Sequence, residues 1–237
     1  SVAILNPRQV RRFAEGLGLL EKTDSLDAGL IAHFADVRSS APTEPVSTSR
    51  QQLRALVTRL RQLTQIHTAQ RNQSRLVTDP SLRAMFDELL RMLQRQQRAL
   101  EQSIAHLIAE DPLWQHLDPA FRTIKGVADR TVARLMAEMP EIGTLPHKSI
   151  SKLAGLAPLA NDSGKHQGKR RVRGGRSAVR EILFVVAGLA ARYEPDFKLF
   201  RERLAAAGKP PKVIRIALAH KLLIRLNAKA RDVRRQI

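Results

Sequence analysis

Apolar residues recur every three or four positions along two long stretches in the first half of the chain. The first stretch repeats at Leu53, Leu56, Leu60 and Leu63, and the second at Met85, Leu89, Met92, Gln96, Leu100, Ser103 and Leu107. This spacing places the repeated residues on one face of a helix, as in a heptad seam. Asp79-Pro80 lies between the two stretches and breaks the helix. The pattern predicts a long antiparallel helical hairpin, a coiled coil, within residues 50–111. Such a hairpin either associates with a second copy or packs on its own chain, and the sequence leaves both open.

The residues before the hairpin are typical of the end of an α/β domain. Residues 2–5 form a short apolar run that stops at Asn6-Pro7, as when a buried strand leaves its sheet. A helix is predicted over 8–17, and a second helix follows Thr23, its N-cap, and runs to about Phe34. Residues 38–49 are rich in Pro, Ser and Thr, which predicts a linker.

The chain after the hairpin predicts a second helical region. The run Ile124-Lys125-Gly126-Val127, followed by a new helix, is similar to a helix-hairpin-helix, whose turn amides and helix N-terminus can hold one phosphate. Further helices are predicted near 149–156, 177–193, 195–206 and 212–234. Residues 157–176, named here the basic segment, are predicted to be a loop. The expected fold class is therefore mainly α, preceded by an α/β tail.

Positive charge is concentrated in the second half of the chain. The formal net charge is +19, and residues 121–237 hold 26 Lys and Arg against 9 Asp and Glu, a net of +17, which leaves +2 for the first 120 residues. This half is expected to bind a polyanion, and nucleic acid is favoured over an acidic membrane surface because no amphipathic anchor stands out. Aromatic residues make up only 4% of the chain, which argues against a base-stacking platform.

Other classes of protein are excluded by what the sequence lacks. There is no cysteine, so disulfides, thiol catalysis and zinc–thiolate sites are excluded. No apolar run reaches the length of a membrane span. The first residues lack the charged start of a signal peptide and are expected to be the interior of a longer protein. We expect a cytoplasmic protein without a membrane partner.

The basic segment is the strongest candidate for chemistry. Seven basic residues and no acidic one lie in the seventeen residues 164–180, directly after Ser163. Arginines at this density can hold phosphate oxygens and offset the charge that develops when a hydroxyl attacks phosphorus. The alternative is a loop that only grips the nucleic-acid backbone. The candidate nucleic-acid-binding residues are Lys125, Gly126, Lys165, Lys169, Arg170, Arg171, Arg173, Arg176, Lys209 and Lys212.

Asp24 and Asp27 form a second candidate site. At positions i and i+3 of a helix, their carboxylates reach one face and suit Mg²⁺, which takes one or two carboxylates and keeps waters. The alternative is that acids in a first helical turn only complement the helix dipole. His166 could donate to phosphate or move a proton, and Tyr193 could be a recombinase nucleophile, although a plain loop histidine and a core tyrosine are simpler interpretations.

Three groups of residues together resemble one family. The first group is Asn6-Pro7, Phe13-Ala14 and Lys22-Thr23-Asp24-x-x-Asp27-Ala28. The second group is Ile124-Lys125-Gly126-Val127, Thr131, Leu153-Ala154-Gly155-Leu156-Ala157-Pro158, Asp162-Ser163-Gly164, Gly168 and Gly174-Gly175-Arg176. The third group is Gly208-Lys209-Pro210-Pro211-Lys212-Val213 with Ala219-His220-Lys221-Leu222-Leu223. In this order they resemble insertion-sequence transposases of the DEDD/serine type, relatives of the Piv and MooV invertases that are described as bridge-RNA-guided recombinases.

The resemblance implies a DNA transposase or recombinase. It implies Ser163 as the nucleophile, Asp24 and Asp27 as two of four acids that bind Mg²⁺, DNA and a structured guide RNA as partners, and a homo-oligomer, a dimer or dimer of dimers, with composite active sites. The implied domains are the end of a resolvase-like domain at 1–37, a linker at 38–49, the helical hairpin at 50–111 and a C-terminal transposase domain with the catalytic serine at 112–237.

Two departures from the family's pattern affect these expectations. The family's first two acids lie upstream of Val2, so this chain alone is expected to bind Mg²⁺ poorly and to be inactive. Lys125 stands where the family usually has proline, which weakens the phosphate-turn interpretation. Two other classes stay open: a non-catalytic module that binds DNA, RNA or a junction, and a metal-dependent nuclease in which Ser163 plays no part.

Overall fold

The helices fall into two units in the computed structural model. The structure describes residues 2–19, 21, 23–38, 45–164, 166–168 and 170–237, but not the side chains of residues 25, 166 and 167. The units are Ser1–Ser47 and Thr48–Ile237. Ten α-helices and four two-residue strands occur in the described part of the chain. The expected mainly α fold class is confirmed. Within the described residues, no helix is both long and apolar enough to cross a membrane.

The first unit contains two helices, α1 (Pro7–Gly16) and α2 (Asp24–Arg38). Asn6 caps α1, because its side-chain oxygen accepts a hydrogen bond from the Arg8 amide at 3.0 Å. A small core joins the helices, in which the rings of Phe13 and Phe34 meet edge to face with centroids 5.3 Å apart. This core holds the C-terminal half of α2, whereas the candidate aspartates lie in its first turn.

The buried strand predicted over residues 2–5 is wrong. These residues form no strand, and Val2 and Ile4 are 74% and 76% exposed. A strand needs a neighbour to pair its backbone groups, and the described residues of the first unit contain no strand that could serve as one.

The second unit begins with the predicted hairpin. Helices α3 (Thr48–Ser74) and α4 (Pro80–Glu110) pack against each other. Asp79 caps α4 by accepting a hydrogen bond from the Leu82 amide at 3.0 Å. The buried residues of the hairpin are Leu53, Val57, Leu60, Leu63, Leu93, Gln97, Ile104 and Leu107. On α4 the predicted Leu107 is buried and the predicted Leu100 packs against the core, whereas the predicted Met92, Gln96 and Ser103 are replaced by the next residues, Leu93, Gln97 and Ile104. Helix α3 also packs against α6, so the hairpin shares the core of its own chain.

Six helices complete the second unit: α5 (Pro112–Arg122), α6 (Asp129–Glu138), α7 (His147–Leu153), α8 (Ser177–Tyr193), α9 (Pro195–Ala206) and α10 (Pro211–Gln236). The helices predicted over 177–193 and 195–206 are confirmed, and the last one extends slightly beyond its predicted bounds. Helix α10 packs against α5, α7, α8 and α9, and Leu222, Leu223 and Leu226 are fully buried in the core.

The loop before α7 is held by polar side chains of α10. The Asn227 side chain, fully buried, accepts a hydrogen bond from the Gly143 amide at 2.8 Å and donates to the Leu145 carbonyl at 3.0 Å. Arg234 donates to two further carbonyls of the same loop. These bonds satisfy a buried, non-helical backbone that would otherwise destabilise the fold.

The basic segment is not the plain loop that was predicted. It contains the strands β1 (Pro158–Leu159), β2 (Asp162–Ser163), β3 (His166–Gln167) and β4 (Arg171–Val172). β1 pairs antiparallel with β4, and β2 with β3. The pairing was missed because two-residue strands carry no periodic pattern, and their partners are up to fourteen positions away in the sequence.

Candidate nucleic-acid interface

The two ends of the basic segment are held together by glycines. A Cβ atom on Gly155 would overlap the backbone of Gly174, and one on Gly175 would overlap the backbone of Gly155. The Arg180 side chain donates to the Gly174 carbonyl at 2.7 Å, and the Arg176 amide donates to the Leu153 carbonyl at 2.9 Å. Only glycine permits this approach, which closes the segment at its base.

Arg176 also anchors the base of the segment. Its guanidinium donates to both carboxylate oxygens of Glu141, at 2.5 and 2.6 Å, and to the Glu138 carbonyl at 2.8 Å. Burial raises the pKa of Glu141, but the hydrogen bonds from Arg176 and the backbone, together with the charges of Arg176 and Arg50, outweigh burial, and the net pKa is lowered. Such a bidentate pair has a fixed geometry. Arg176, a predicted nucleic-acid-binding residue, is thus engaged inside the protein.

Ser163 lies near the tip of the β2–β3 pair. Its Cα pairs with that of His166, and Asp162 pairs with Gln167. Residues 161–164 are all exposed. The base of the segment is anchored, and its tip is open to a partner as large as a nucleic acid.

The surroundings of Ser163 are cationic. The Arg170 guanidinium donates to the Asp162 carboxylate at 3.1 Å, next to the serine. Among the described residues, no side chain is hydrogen-bonded to the Ser163 hydroxyl, so none of them is placed to act as its general base. Arg173 is exposed close to the base of the segment. Lys165 and Lys169, both predicted to bind nucleic acid, lie outside the described residues.

A groove with a volume of about 1040 Å³ lies between the basic segment and helices α9 and α10. We name it the cationic groove. Its lining residues are Leu156, Pro158, Arg170, Arg171, Val172, Phe200, Arg203, Lys212, Val213, Ile216, Ala217, His220, Lys221 and Ile224. The groove brings together three of the predicted binding residues, Arg170, Arg171 and Lys212, from two ends of the domain.

Sequence reasoning missed three polar residues of the cationic groove: Arg203, His220 and Lys221. Lys221 and His220 belong to the closing motif that carried the family resemblance, so that motif was the available signal. Arg203 lies on α9 among other charged residues and carried no signal. Lys209 lies exposed in the turn before α10, outside this lining.

The helix-hairpin-helix candidate has an internal partner for its turn. The Lys125 backbone amide donates to the Glu194 carboxylate at 2.9 Å, and Arg225 lies 3.6 Å from the same carboxylate. Gly126 has φ +96° and lies so close to α8 that a Cβ would come within 2.9 Å of the Leu189 Cβ. The turn amide expected to face a phosphate is thus bonded to the protein's own carboxylate. The role of Lys125 and Gly126 in binding stays a prediction.

Asp24 and Asp27 lie in the first turn of α2, in the other unit. Thr23 caps the helix, as predicted, by accepting a hydrogen bond from the Leu26 amide at 3.3 Å. No cluster of three or more His, Cys, Asp or Glu residues that could hold a metal occurs in the described part of the chain. Two carboxylates one turn apart are nevertheless hard oxygen donors, and these fit Mg²⁺.

Comparisons with known proteins find relatives along nearly the whole chain. Residues 118–202 match the family described as "Transposase IS116/IS110/IS902 family", and residues 1–79 match a DEDD family of the IS110 type described as "Transposase". The pilin gene-inverting proteins of Moraxella bovis and Moraxella lacunata are each 30% identical over 234 residues, covering 94% of this chain and 70% of theirs. An uncharacterised 43.6 kDa protein of insertion element IS110 from Streptomyces coelicolor is 29% identical over 145 residues, 60% of this chain and 35% of that protein.

These matches define an enzyme of the transposase kind, whose class acts in DNA recombination. The chain belongs to the IS116/IS110/IS902 family of transposases. The resemblance to insertion-sequence transposases that was drawn from the sequence is confirmed at the level of the family.

Proposed function

We propose that the protein exchanges DNA strands through attack of the Ser163 hydroxyl on a DNA phosphodiester. The observation that carries this proposal is the position of Ser163, exposed near the tip of a hairpin whose base is anchored by Gly155 and by the Arg176–Glu141 pair. An exposed hydroxyl among arginines is accessible to a phosphodiester, and the anchored base limits how far it moves.

The reaction balances without an external reactant. The Ser163 oxygen forms a bond to phosphorus, its proton leaves to solvent or a nearby base, and one ester bond of the DNA backbone breaks to release a DNA hydroxyl. A hydroxyl of the incoming strand then attacks the phosphoserine and restores both the diester and the serine. Cations such as Arg170 and Arg171 offset the negative charge that develops on the phosphate oxygens.

Asp24 and Asp27 would hold a divalent ion, and Mg²⁺ is the proposed one. Membership of a DEDD transposase family fits dependence on a divalent metal. Bound Mg²⁺ would supply a positive charge that stabilises the leaving oxygen. Neither carboxylate has an ion-pair partner within the described residues, so both are available to a metal.

The partners proposed are DNA, a structured guide RNA that chooses the target, and further copies of the chain. The net charge of +17 on residues 121–237 supports binding of both nucleic acids through their backbones. In a homo-oligomer with composite active sites, the serine and the aspartates of one site come from different copies.

Trapping of a covalent protein–DNA adduct tests the proposal. End-labelled DNA carrying the element's ends is incubated with Mg²⁺ and a version of the protein that also carries the two upstream acids of the family's pattern, and is then denatured and separated by electrophoresis. Wild type should yield a labelled adduct, Ser163→Ala should yield none while binding DNA within a few-fold of wild type, and Ser177→Ala, an exposed serine just beyond the basic segment, should behave as wild type. Asp24→Asn or Asp27→Asn should also remove the adduct and leave DNA and RNA binding in place.

Other results would point to the two alternative classes. Cleavage without any adduct, unchanged in Ser163→Ala, would indicate a metal-dependent nuclease. Binding with neither cleavage nor adduct in wild type would indicate a non-catalytic module. Wild-type strand exchange by Ser163→Ala would exclude this serine as the nucleophile.

A further inference from the structure

We propose that the cationic groove receives an unstacked nucleotide of the bound nucleic acid, with the base on its apolar floor and the flanking phosphates on its rim. This inference rests on the proposed binding of nucleic acid and adds a second site to it, which does not include Ser163 but adjoins it through Arg170 and Arg171. Neither the comparisons nor the sequence patterns assign a ligand to this groove.

The rim of the groove is matched to phosphate. Five cationic side chains line it (Arg170, Arg171, Arg203, Lys212 and Lys221), and no carboxylate is among its lining residues. Within the described part of the chain, Arg170 alone of these five has a carboxylate within 4.0 Å. That pair is exposed on both sides, so it contributes little and competes weakly with a phosphate. Lys221 donates to the Asp196 backbone carbonyl at 2.9 Å, whereas Arg171, Arg203 and Lys212 have no carboxylate within 4.0 Å among the described residues and are the cations most available to phosphate.

The floor of the groove is matched to a base. It is formed by aliphatic side chains, Val172 from the basic segment and Val213, Ile216, Ala217 and Ile224 from α10. Contact with the backbone of a duplex needs cations and no concave apolar surface. A base taken out of its stack exposes an apolar face, and a concave aliphatic floor covers such a face. A volume of about 1040 Å³ is ample for one nucleotide, because small-molecule sites typically occupy roughly 300–1,000 Å³.

Aromatic stacking is not the basis of this recognition. The Phe200 ring in the groove wall is covered by cations, with Lys221 Nζ 5.0 Å and the Arg203 guanidinium carbon 5.1 Å from its centroid. The base is therefore held by aliphatic contacts. A chain with few aromatic residues can therefore accept a base, although its composition argued against a base-stacking platform.

His220 supplies the one neutral polar side chain of the lining. Ser151 Oγ lies 2.6 Å from the His147 carbonyl oxygen, a distance that requires the hydroxyl proton between them. The Ser151 oxygen must then accept from His220 Nε2, 2.9 Å away, so Nε2 carries the proton and Nδ1 is left as an acceptor. Burial, and to a lesser extent His147, lower the pKa of His220, which keeps the ring neutral at pH 7. A neutral acceptor suits the N–H groups on the edge of a base.

Two single-stranded probes of equal phosphate number test the inference. One is an oligothymidylate of about 15 nucleotides, and the other is a matching oligomer of abasic tetrahydrofuran sites. Wild-type chain should bind the oligothymidylate about tenfold more tightly than the abasic oligomer, because only the former places bases on the apolar floor. Affinities are measured by fluorescence anisotropy at one fixed salt concentration, since phosphate contacts are salt-dependent.

Groove-filling variants locate the effect. Ala217→Phe fills the floor without changing charge, and it should reduce the preference for bases to within twofold while leaving affinity for the abasic oligomer nearly unchanged. Ala205→Phe, an exposed position on α9 outside the groove, should keep the tenfold preference. Should Ala217→Phe fail to fold by circular dichroism, Val213→Trp fills the half-exposed end of the same floor and should act in the same way.

Three results would overturn the inference. Equal wild-type affinity for the two oligomers would show that only phosphates bind, which leaves the proposed DNA-binding function intact. Failure to bind either oligomer would remove both proposals. Self-association in sedimentation experiments that Ala217→Phe abolishes would show that a second copy of the chain, rather than a nucleotide, fills the groove.

Discussion

Two sets of arginines in the C-terminal half differ in what their guanidinium groups contact. Arg176, Arg231 and Arg234 donate to backbone carbonyls of residues 138–145, and Arg176 also to Glu141. Arg171 and Arg203 instead line the cationic groove. Charge alone does not distinguish the groups. The first group stabilises the fold around the basic segment, and the second is available to a polyanion.

Gly155→Ala should cost more free energy of unfolding than Gly208→Ala. The two glycines have nearly the same backbone angle, φ +68° and +69°, so both substitutions carry similar strain, about 1 kcal/mol. A Cβ at 208 meets nothing within 4 Å, whereas one at 155 overlaps the Gly174 backbone. We expect Gly155→Ala to cost about 2–3 kcal/mol more, measured by urea unfolding. Equal losses would show that the two ends of the segment are not packed together.

Glu141→Gln should destabilise the protein at pH 7 by about 1–3 kcal/mol, because hydrogen bonds to a charged group are lost. The folded state lowers the pKa of Glu141. The contribution of the pair is therefore present above the unfolded pKa, about 4.3, and is lost as pH falls through the folded value. Urea unfolding at pH 7 and at lower pH should show the difference between variant and wild type shrinking on acidification.

Glu202→Gln is the control for this measurement. Glu202 forms an exposed pair with Arg201 at 3.8 Å, and its loss should change stability by less than about 0.5 kcal/mol at any pH. If the difference in free energy of unfolding between Glu141→Gln and wild type did not depend on pH, the ionised carboxylate would not be the group that anchors Arg176.

Among the elements, the hairpin shows how neighbouring helices determine which face of a helix is buried. Helix α3 contacts both α4 and α6, and α4 also contacts α5. The face of α4 that becomes buried is set by these packing partners and includes Leu93, Gln97 and Ile104. The heptad prediction assumed a single partner helix. For this reason three of its positions on α4 lie one residue before the residues that are buried.

Gln97→Leu should stabilise the chain by about 1–2 kcal/mol. Gln97 is 8% exposed and its side-chain nitrogen, Nε2, has no hydrogen-bond partner within the described residues, an arrangement that is costly in the folded state. Leucine at this position removes the unpaired donor and keeps the volume. Gln96→Leu, at the exposed neighbouring position, should change stability by less than about 0.5 kcal/mol. Thermal unfolding compares the two, and a loss of stability in Gln97→Leu would contradict the burial assigned to this face.

For the whole molecule, the separation of charge along the chain governs how nucleic acid binds. The first 120 residues are nearly neutral, and the remainder carries +17. Binding that depends on released counterions becomes weaker as salt rises, with a slope set by the number of phosphate contacts. The cations around the groove and the basic segment should therefore set most of this slope.

Arg171→Gln and Arg173→Gln should each flatten the plot of log affinity against log salt concentration by roughly one unit. Both side chains are exposed, so folding should be unaffected. Arg75→Gln, which removes an equal charge from the exposed turn between α3 and α4, should leave the slope nearly unchanged. Titrations of DNA at several salt concentrations measure this. An unchanged slope in Arg171→Gln would show that this arginine does not contact the backbone.

The sequence by itself determined the helical content, the bounds of α8 and α9, the concentration of charge and the family. These properties depend on local spacing, on proline and capping residues, and on motifs that are read along the chain. Only the tertiary structure decided which arginines are engaged internally, that the basic segment forms paired strands, and that Arg171 and Lys212 share a groove. Each of these depends on contacts between residues far apart in sequence, such as the Lys125 amide and the Glu194 carboxylate, 69 positions away. A single sequence holds no record of such contacts, because they form only when the helices pack.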